Sequence, residues 1–223
     1  MRRVLAGLSA WSMLTVLVPF PQAMAEPETC PPVCDRIPAQ AWPDPRSLPL
    51  DEVYDWPVLA ALAAPVAAPR FRFEELCATP PPPDDPRAYA VAARTLLGQP
   101  GHQWQLRAQI VHWRGETWRG GQLALSVLDA ALAALRSCQV RAPQFSPSIT
   151  TSGPDRFAAV ISGPVIVHQY LLVDPRSSTI SELSFSVVGD ADSPAVPWPT
   201  MADAEVFDAM APRLCAAYLG SCE

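Results

Sequence analysis

The stretch that most constrains the fold runs from Gln105 to Cys138, where an alternating segment passes through two glycines into a long apolar helix ending on a cysteine. Ala124, Leu125, Val127, Leu128, Ala131, Leu132 and Leu135 recur at helical spacing. Gln122, Ser126, Asp129, Ala133 and Arg136 make the opposite face small or polar. Gly120 and Gly121 stand before the apolar run and are expected to precede the helix. Upstream, Leu106, Ala108, Ile110 and His112 alternate with Gln105, Arg107, Gln109 and Val111, the pattern of a half-buried strand. A helix with one apolar face needs a sheet to lie on, and the rest of the chain supplies strands.

Before this stretch, Asp85 is placed to cap a helix with Pro86 at its first position and Gly98 as its stop after Leu96 and Leu97. After Cys138, strands are predicted from Ser148 to Thr151, from Phe157 to Ile161 and from Val165 to Val173. Leu183, Phe185 and Val187 alternate with Ser184 and Ser186, a strand with one solvated face. Gly153-Pro154, Gly163-Pro164 and Asp174-Pro175 mark the turns. A closing helix is expected from Thr200, with Asp203 in its first turn and Val206, Phe207, Met210, Leu214 and Tyr218 inward. Pro212 should bend or split it, and Gly220 should end it. The expected fold class is α+β: an antiparallel sheet with helices packed on one face, stapled by disulfides, plus a Pro-rich N-terminal arm.

Residues 1–25 read as a signal peptide. Arg2 and Arg3 form its charged start, Val4 to Phe20 its apolar run, and Ala23-Met24-Ala25 a small-residue cleavage site. A retained membrane anchor is the alternative, but Pro19 and Pro21 interrupt the run before the roughly 20 residues a span needs. Glu-Pro-Glu-Thr precedes Cys30, so lipid attachment there is not expected. Loss of Arg2 and Arg3 takes the formal charge from −6 to −8, and every remaining basic residue is arginine. A lysine-free, acidic chain is poorly suited to nucleic acid or to an anionic membrane surface, so neither is expected as a partner. The arginine bias, with abundant alanine and proline, points to a GC-rich genome.

Six cysteines follow the cleavage site: Cys30, Cys34, Cys77, Cys138, Cys215 and Cys222. In an oxidising compartment an even count reads as a disulfide framework whose connectivity the sequence leaves open. A redox site fits less well, because three residues rather than two separate Cys30 from Cys34. His102, His112 and His168 show no paired spacing for zinc, so neither metal nor cofactor is expected. Three cysteines lie in residues 26–83 and three in residues 84–223, so any complete pairing sends at least one bridge between these two parts.

Residues 26–83 are rich in proline, yet Trp42, Tyr54, Trp56, Phe71 and Phe73 are too apolar to leave in water. The segment is expected to wrap as an arm over residues 84–223, with a short helix between Pro57 and Ala64. Gln109-Ile110-Val111-His112-Trp113, the helix into Ser137-Cys138, and Phe157-Ala158-Ala159-Val160 carry a family resemblance. Over roughly residues 87–222, this order resembles the extracellular sensor domains of mycobacterial PknH-type receptor kinases and exported proteins built on that module. The resemblance implies helices on a disulfide-held antiparallel sheet and ligand sensing in a cleft. The arm and the lack of a kinase domain depart from that family's pattern.

No nucleophile elbow, phosphate loop or His-Glu-x-x-His pattern occurs, and no catalytic residue is assigned. A hydrolase would need His102, His112 or His168 beside a serine and a carboxylate, while His112 and His168 read equally as hydrogen-bonded strand residues. Glu116 and Glu182 could form an acid/base pair. Trp104, Trp113 and Trp118, with His112, could line a ligand cleft, or the tryptophans could pack the arm onto the sheet. The function expected is an exported, non-catalytic binding or sensor-like module of the cell envelope, for an envelope ligand or protein not identifiable from sequence. The alternative is a small secreted hydrolase.

Overall fold

The computed structural model describes residues 37–98, 103–188 and 196–217, with side chains through 187 and 214 in the last two spans. The expected leader, Cys30, Cys34, His102, Tyr218, Gly220 and Cys222 lie outside these residues, as does the side chain of Cys215. In chain order the helices are α1 (Asp51–Tyr54), α2 (Leu59–Leu62), α3 (Arg72–Leu76), α4 (Thr117–Arg136), α5 (Cys138–Arg141) and α6 (Asp203–Ala217). The strands are β1 (Ala64–Pro65), β2 (Ala90–Gly98), β3 (Trp104–Trp113), β4 (Ser146–Ser152), β5 (Arg156–Ser162), β6 (Val165–Asp174) and β7 (Thr179–Val188). They form one antiparallel sheet in the order β1-β2-β3-β7-β6-β5-β4. The α+β class with a disulfide is therefore what the structure shows.

Two apolar cores flank the sheet, one on each face. Val111, Leu171, Val173 and Ile180 meet α4 through Ala124, Val127, Leu128, Ala131 and Leu135, together with Phe71 and Phe73 of the arm. Leu106, Ala108, Ile110, Tyr170 and Phe185 face the other way. They meet Val206, Phe207, Met210 and Leu214 of α6, and Trp42, Leu48, Tyr54, Trp56 and Leu59 of the arm. The arm thus crosses from one face to the other around the β2 edge, where β1 pairs Ala64 with Arg94. Its large aromatic groups contribute to both cores, which is why a proline-rich segment is ordered here.

Four local expectations are corrected. Asp85 does cap a turn, its side chain accepting from Arg87 N, but only Pro86–Tyr89 is helical, as one 3-10 turn. Residues from Ala90 onward form β2, pairing with β3 over the whole length from Ala90↔Trp113 to Gly98↔Gln105. That ladder outcompetes the local helix signal, which carried no tertiary information. The glycines do not precede α4 but lie inside it. A Cβ on Gly120 would come within 2.5 Å of Ser178 Oγ, and one on Gly121 would strike the carbonyl oxygen of Pro175. They are the price of packing the first turns of α4 directly on the β6–β7 turn.

The third correction concerns β3 and β7. Neither is half-buried: Arg107, Gln109, Ser181, Glu182, Ser184 and Ser186 are all buried. The arm covers their polar face, and charge follows it there. The Arg70 carbonyl accepts from Arg94, Arg107 and Gln109, and Arg72 N donates to Glu182 Oε1 at 2.6 Å. Arg107 reaches Glu75 at 2.7 Å, and Arg87 forms a two-pronged pair with Glu74 at 2.7 and 3.0 Å. The fourth correction is α6, which Pro212 does not split: it runs through that residue as one element.

The Cys77–Cys138 disulfide joins the end of α3 to the α4–α5 junction and is fully buried. It crosses between residues 26–83 and 84–223, as the cysteine count requires.

Candidate functional site

The four residues expected to line a ligand cleft do not share a surface. Trp104 and Trp113 open and close β3, nine residues apart, which places them on opposite faces and about 30 Å from one another. Trp113 is buried, its Nε1 donating to Pro86 O at 2.9 Å. Trp118, 59% exposed, lies in the first turn of α4, donates to Glu116 Oε2 at 3.1 Å and has Arg119 over its ring. His112 is buried at the end of β3, with Nδ1 3.0 Å from Thr179 Oγ1. The carboxylates expected as a pair are also apart. Glu182 is buried opposite Gln109 in mid-sheet, whereas Glu116 is exposed beyond the end of β3.

What the fold brings together lies on the α6 face. Alternation along β6 turns His168 and Tyr170 toward α6, and a bulge between Ile149 and Thr151 turns Thr151 to the same side, opposite Ala158. Asp203, the first residue of α6, accepts from Thr151 Oγ1 at 2.6 Å. It also holds the Tyr170 hydroxyl. Burial, then the Asp203 charge and this hydrogen bond, push the Tyr170 phenol above its ordinary range. His168 stacks on Trp198 with ring centroids 3.7 Å apart and planes 7° from parallel. Trp104 lies 5.2 Å from Trp198 and 5.8 Å from His168, and Phe185 meets Trp198 edge-on at 5.4 Å. Burial among these rings pushes the His168 imidazole down to about 4, against the opposing pull of Asp203. At neutral pH it is an uncharged ring in an aromatic stack.

Along α6 from this cluster, Arg156 spans both parts. Its guanidinium lies 5.4 Å over the Phe207 ring and makes a two-pronged pair with Asp155 at 2.8 and 2.9 Å. That pairing holds the Asp155 carboxyl below its ordinary value. Beyond it is a cavity of about 340 Å³ between the ends of β5 and β6, the β6–β7 turn and the second half of α6. Leu172, Pro175, Ala211 and Leu214 give it an apolar body, and Asp174 and Arg176 line it at the turn. Asp174 is only 6% exposed. Its Oδ1 accepts from Arg176 N at 3.1 Å, but Oδ2 is buried without a hydrogen-bond partner.

The sequence missed Trp198, Tyr170, Asp203, Thr151 and Asp174 as site residues. Tyr170 was accessible in principle, since it lies two positions from His168 in a strand. Asp203 and Asp174 carried signals, but as a helix start and a turn. Thr151 depended on a bulge with no sequence marker. Among the described residues no three His, Cys, Asp or Glu side chains gather to hold a metal, and no helix is long and apolar enough to cross a membrane. Comparison with protein-family models gives no match, and comparison with curated proteins gives none either.

Proposed function

We propose that the chain is an exported, non-catalytic binding module of the cell envelope or the external medium, held in shape by disulfides and sensor-like in the sense of the PknH-type resemblance. The observation that carries the reading is the buried Cys77–Cys138 bridge. A bridge fixing an N-terminal arm to the main helix suits an oxidising compartment, because cytosolic thiol buffers keep such pairs reduced. The leader-like residues 1–25 point the same way.

The arrangement around His168 favours binding over hydrolysis. A nucleophilic triad needs the imidazole between hydroxyl and carboxylate. Here Asp203 accepts directly from Thr151, while His168 lies face to face with Trp198. The test is fractionation of the producing cells with thiols alkylated before lysis. The chain is expected in the envelope or the culture filtrate, beginning at Glu26, with Cys77 and Cys138 unalkylated. A cytosolic protein with both thiols alkylated would overturn the reading.

A further inference from the structure

Where the arm wraps the β2 edge of the sheet it leaves an apolar groove of about 510 Å³, within the range of ligand pockets. The groove lies between the start of the arm, α2 and the strands β1 and β2. Trp42 and Ala92 in its lining are buried, while Ile37, Ala63, Val66 and Val91 are half-exposed, so apolar surface stands open to water there. It follows β2 from Ala90, paired with Trp113, to Ala93, paired with Pro65. Arg114, next in sequence after Trp113, therefore stands at the Ala90 end. It is exposed, and among the described residues that line the groove it is the only charged one. No carboxylate, hydroxyl or amide side chain lines the groove. The opposite end reaches α2, where Val58 and Leu62 are 63% and 53% exposed. These two belong to the run from Trp56 to Pro69, which contains no charged, hydroxyl or amide side chain. Apolar surface that continues from a groove onto its rim marks a binding surface.

We propose that this groove binds the alkyl chain of a single fatty acid, with the tail toward α2 and the carboxylate at Arg114. An apolar track with one cation at one end is the complement of an anionic amphiphile. The guanidinium fork matches the two oxygens of a carboxylate. The alkyl chain replaces water along the apolar walls, each buried methylene adding about fourfold in affinity. Because Arg114 is exposed, its attraction is screened by water and adds less than the chain does. The proposal rests on the binding-module reading and adds the ligand chemistry.

The experiment is calorimetric titration of the oxidised chain with hexanoate, octanoate and decanoate below their micelle concentrations, and with decan-1-ol as the uncharged counterpart. Saturable binding is expected, tightening by about tenfold for each two carbons added. Decan-1-ol should bind about fivefold more weakly than decanoate. Arg114→Gln should bring decanoate down to the level of decan-1-ol and leave the alcohol unchanged. Ala63→Phe intrudes on the groove from the end of α2 and should abolish binding of both. The chain-length series and Arg114→Gln, a change at an exposed position, keep the test decisive if the Phe variant folds poorly. Equal affinity for hexanoate and decanoate, no saturable binding of any alkanoate, or an undiminished preference for decanoate over the alcohol in Arg114→Gln would each overturn the proposal. So would co-sedimentation with neutral phosphatidylcholine vesicles by a chain that ignores free decanoate, because the surface would then dock on a membrane instead. An exported, oxidised chain that binds no alkanoate loses this proposal alone; a cytosolic, reduced one loses the module reading whatever it binds.

Discussion

His168 is a base kept neutral by its neighbours, and that has a pH signature. Trp198 and Trp104 pack against the ring and partly desolvate it, and Asp203 is the charged group that partly opposes the effect. With a folded value of about 4 against an ordinary 6.5, the unfolded chain binds the extra proton between those limits. Stability contributed by the neutral ring is therefore complete above pH 6.5 and is lost as pH falls toward 4. The carboxylates held low, Asp44, Glu75, Asp85 and Asp155, lose their contributions only below about pH 5, whereas the raised Glu182 carboxyl acts with the opposite sign, so the histidine is isolated by comparing the native slope with that of a His168 variant. Urea unfolding should lose roughly 1–2 kcal/mol between about pH 7 and 5 in the native chain, less than the full shift because the ring is partly exposed. His168→Phe, which keeps the stack, should flatten the slope; an unchanged slope would refute the assignment. Glu182 is the opposite kind of residue. By alternation Glu182 shares a face with Ser184 and Ser186, which reads as the wet side of the strand, and nothing local says otherwise. Its cover is the turn into α3, 110 positions away, whose Arg72 N donates to it. Burial raises its carboxyl, although Arg107, Arg72 N and Gln169 work against the rise. Glu182→Ala leaves Arg107, Gln109 and Gln169 facing a dry void and should cost about 3–5 kcal/mol by the same measurement. A loss under 1 kcal/mol would mean the network is not coupled to the fold.

At the scale of elements, the sequence was legible where an element's own pattern is set by burial on one side. The apolar stripe of α4 is the clearest case, with Ala124, Val127, Leu128, Ala131 and Leu135 buried. Strands β4, β5 and β6 fall close to their expected limits for the same reason. Legibility failed where a neighbour decides. β2 carries a helix-like start at Asp85-Pro86, yet nine residue pairs with β3 hold it extended. The glycines look like a break in the sequence and act as a contact in the fold. Gly121→Ala tests this reading directly. A methyl there meets backbone at Pro175 rather than a flexible side chain, so α4 or the turn must shift, at about 1–3 kcal/mol. In an ordinary exposed helix the same change would stabilise by up to about 1 kcal/mol. Chemical denaturation decides the sign, and a stabilised Gly121→Ala would show that the contact is not tight.

The whole molecule is a sheet enclosed by its own N-terminal arm, and the cysteine parity in the sequence requires a covalent link between the two when all six cysteines pair. Which cysteines make it was not legible, because pairing depends on approach in space; Cys77 and Cys138 are 61 positions apart and their Cα atoms are 4.8 Å apart. The candidate site was less legible than the fold, since β4, β6, the 196–202 segment and α6 build it from residues each of which has an ordinary local reading. The bridge gives the enclosure its energetic weight. Closing a loop of this length removes chain entropy from the unfolded state equivalent to about 4 kcal/mol, in a model that often overestimates. That is a large part of the roughly 5–15 kcal/mol available to a domain. Around the bridge the arm still buries Phe71 and Phe73 and keeps its charge network, so a Cys77→Ser/Cys138→Ser chain should fold but melt well below the native one. Pro80 to Asp84 is exposed and lies between the two cysteines in sequence, which makes it the place to cut. A protease site inserted there should give one band on a denaturing gel without reductant and two with it. Two bands without reductant would show that the arm is held by packing alone, and the enclosure would then open and close with the folding of the arm rather than with the redox state of its surroundings.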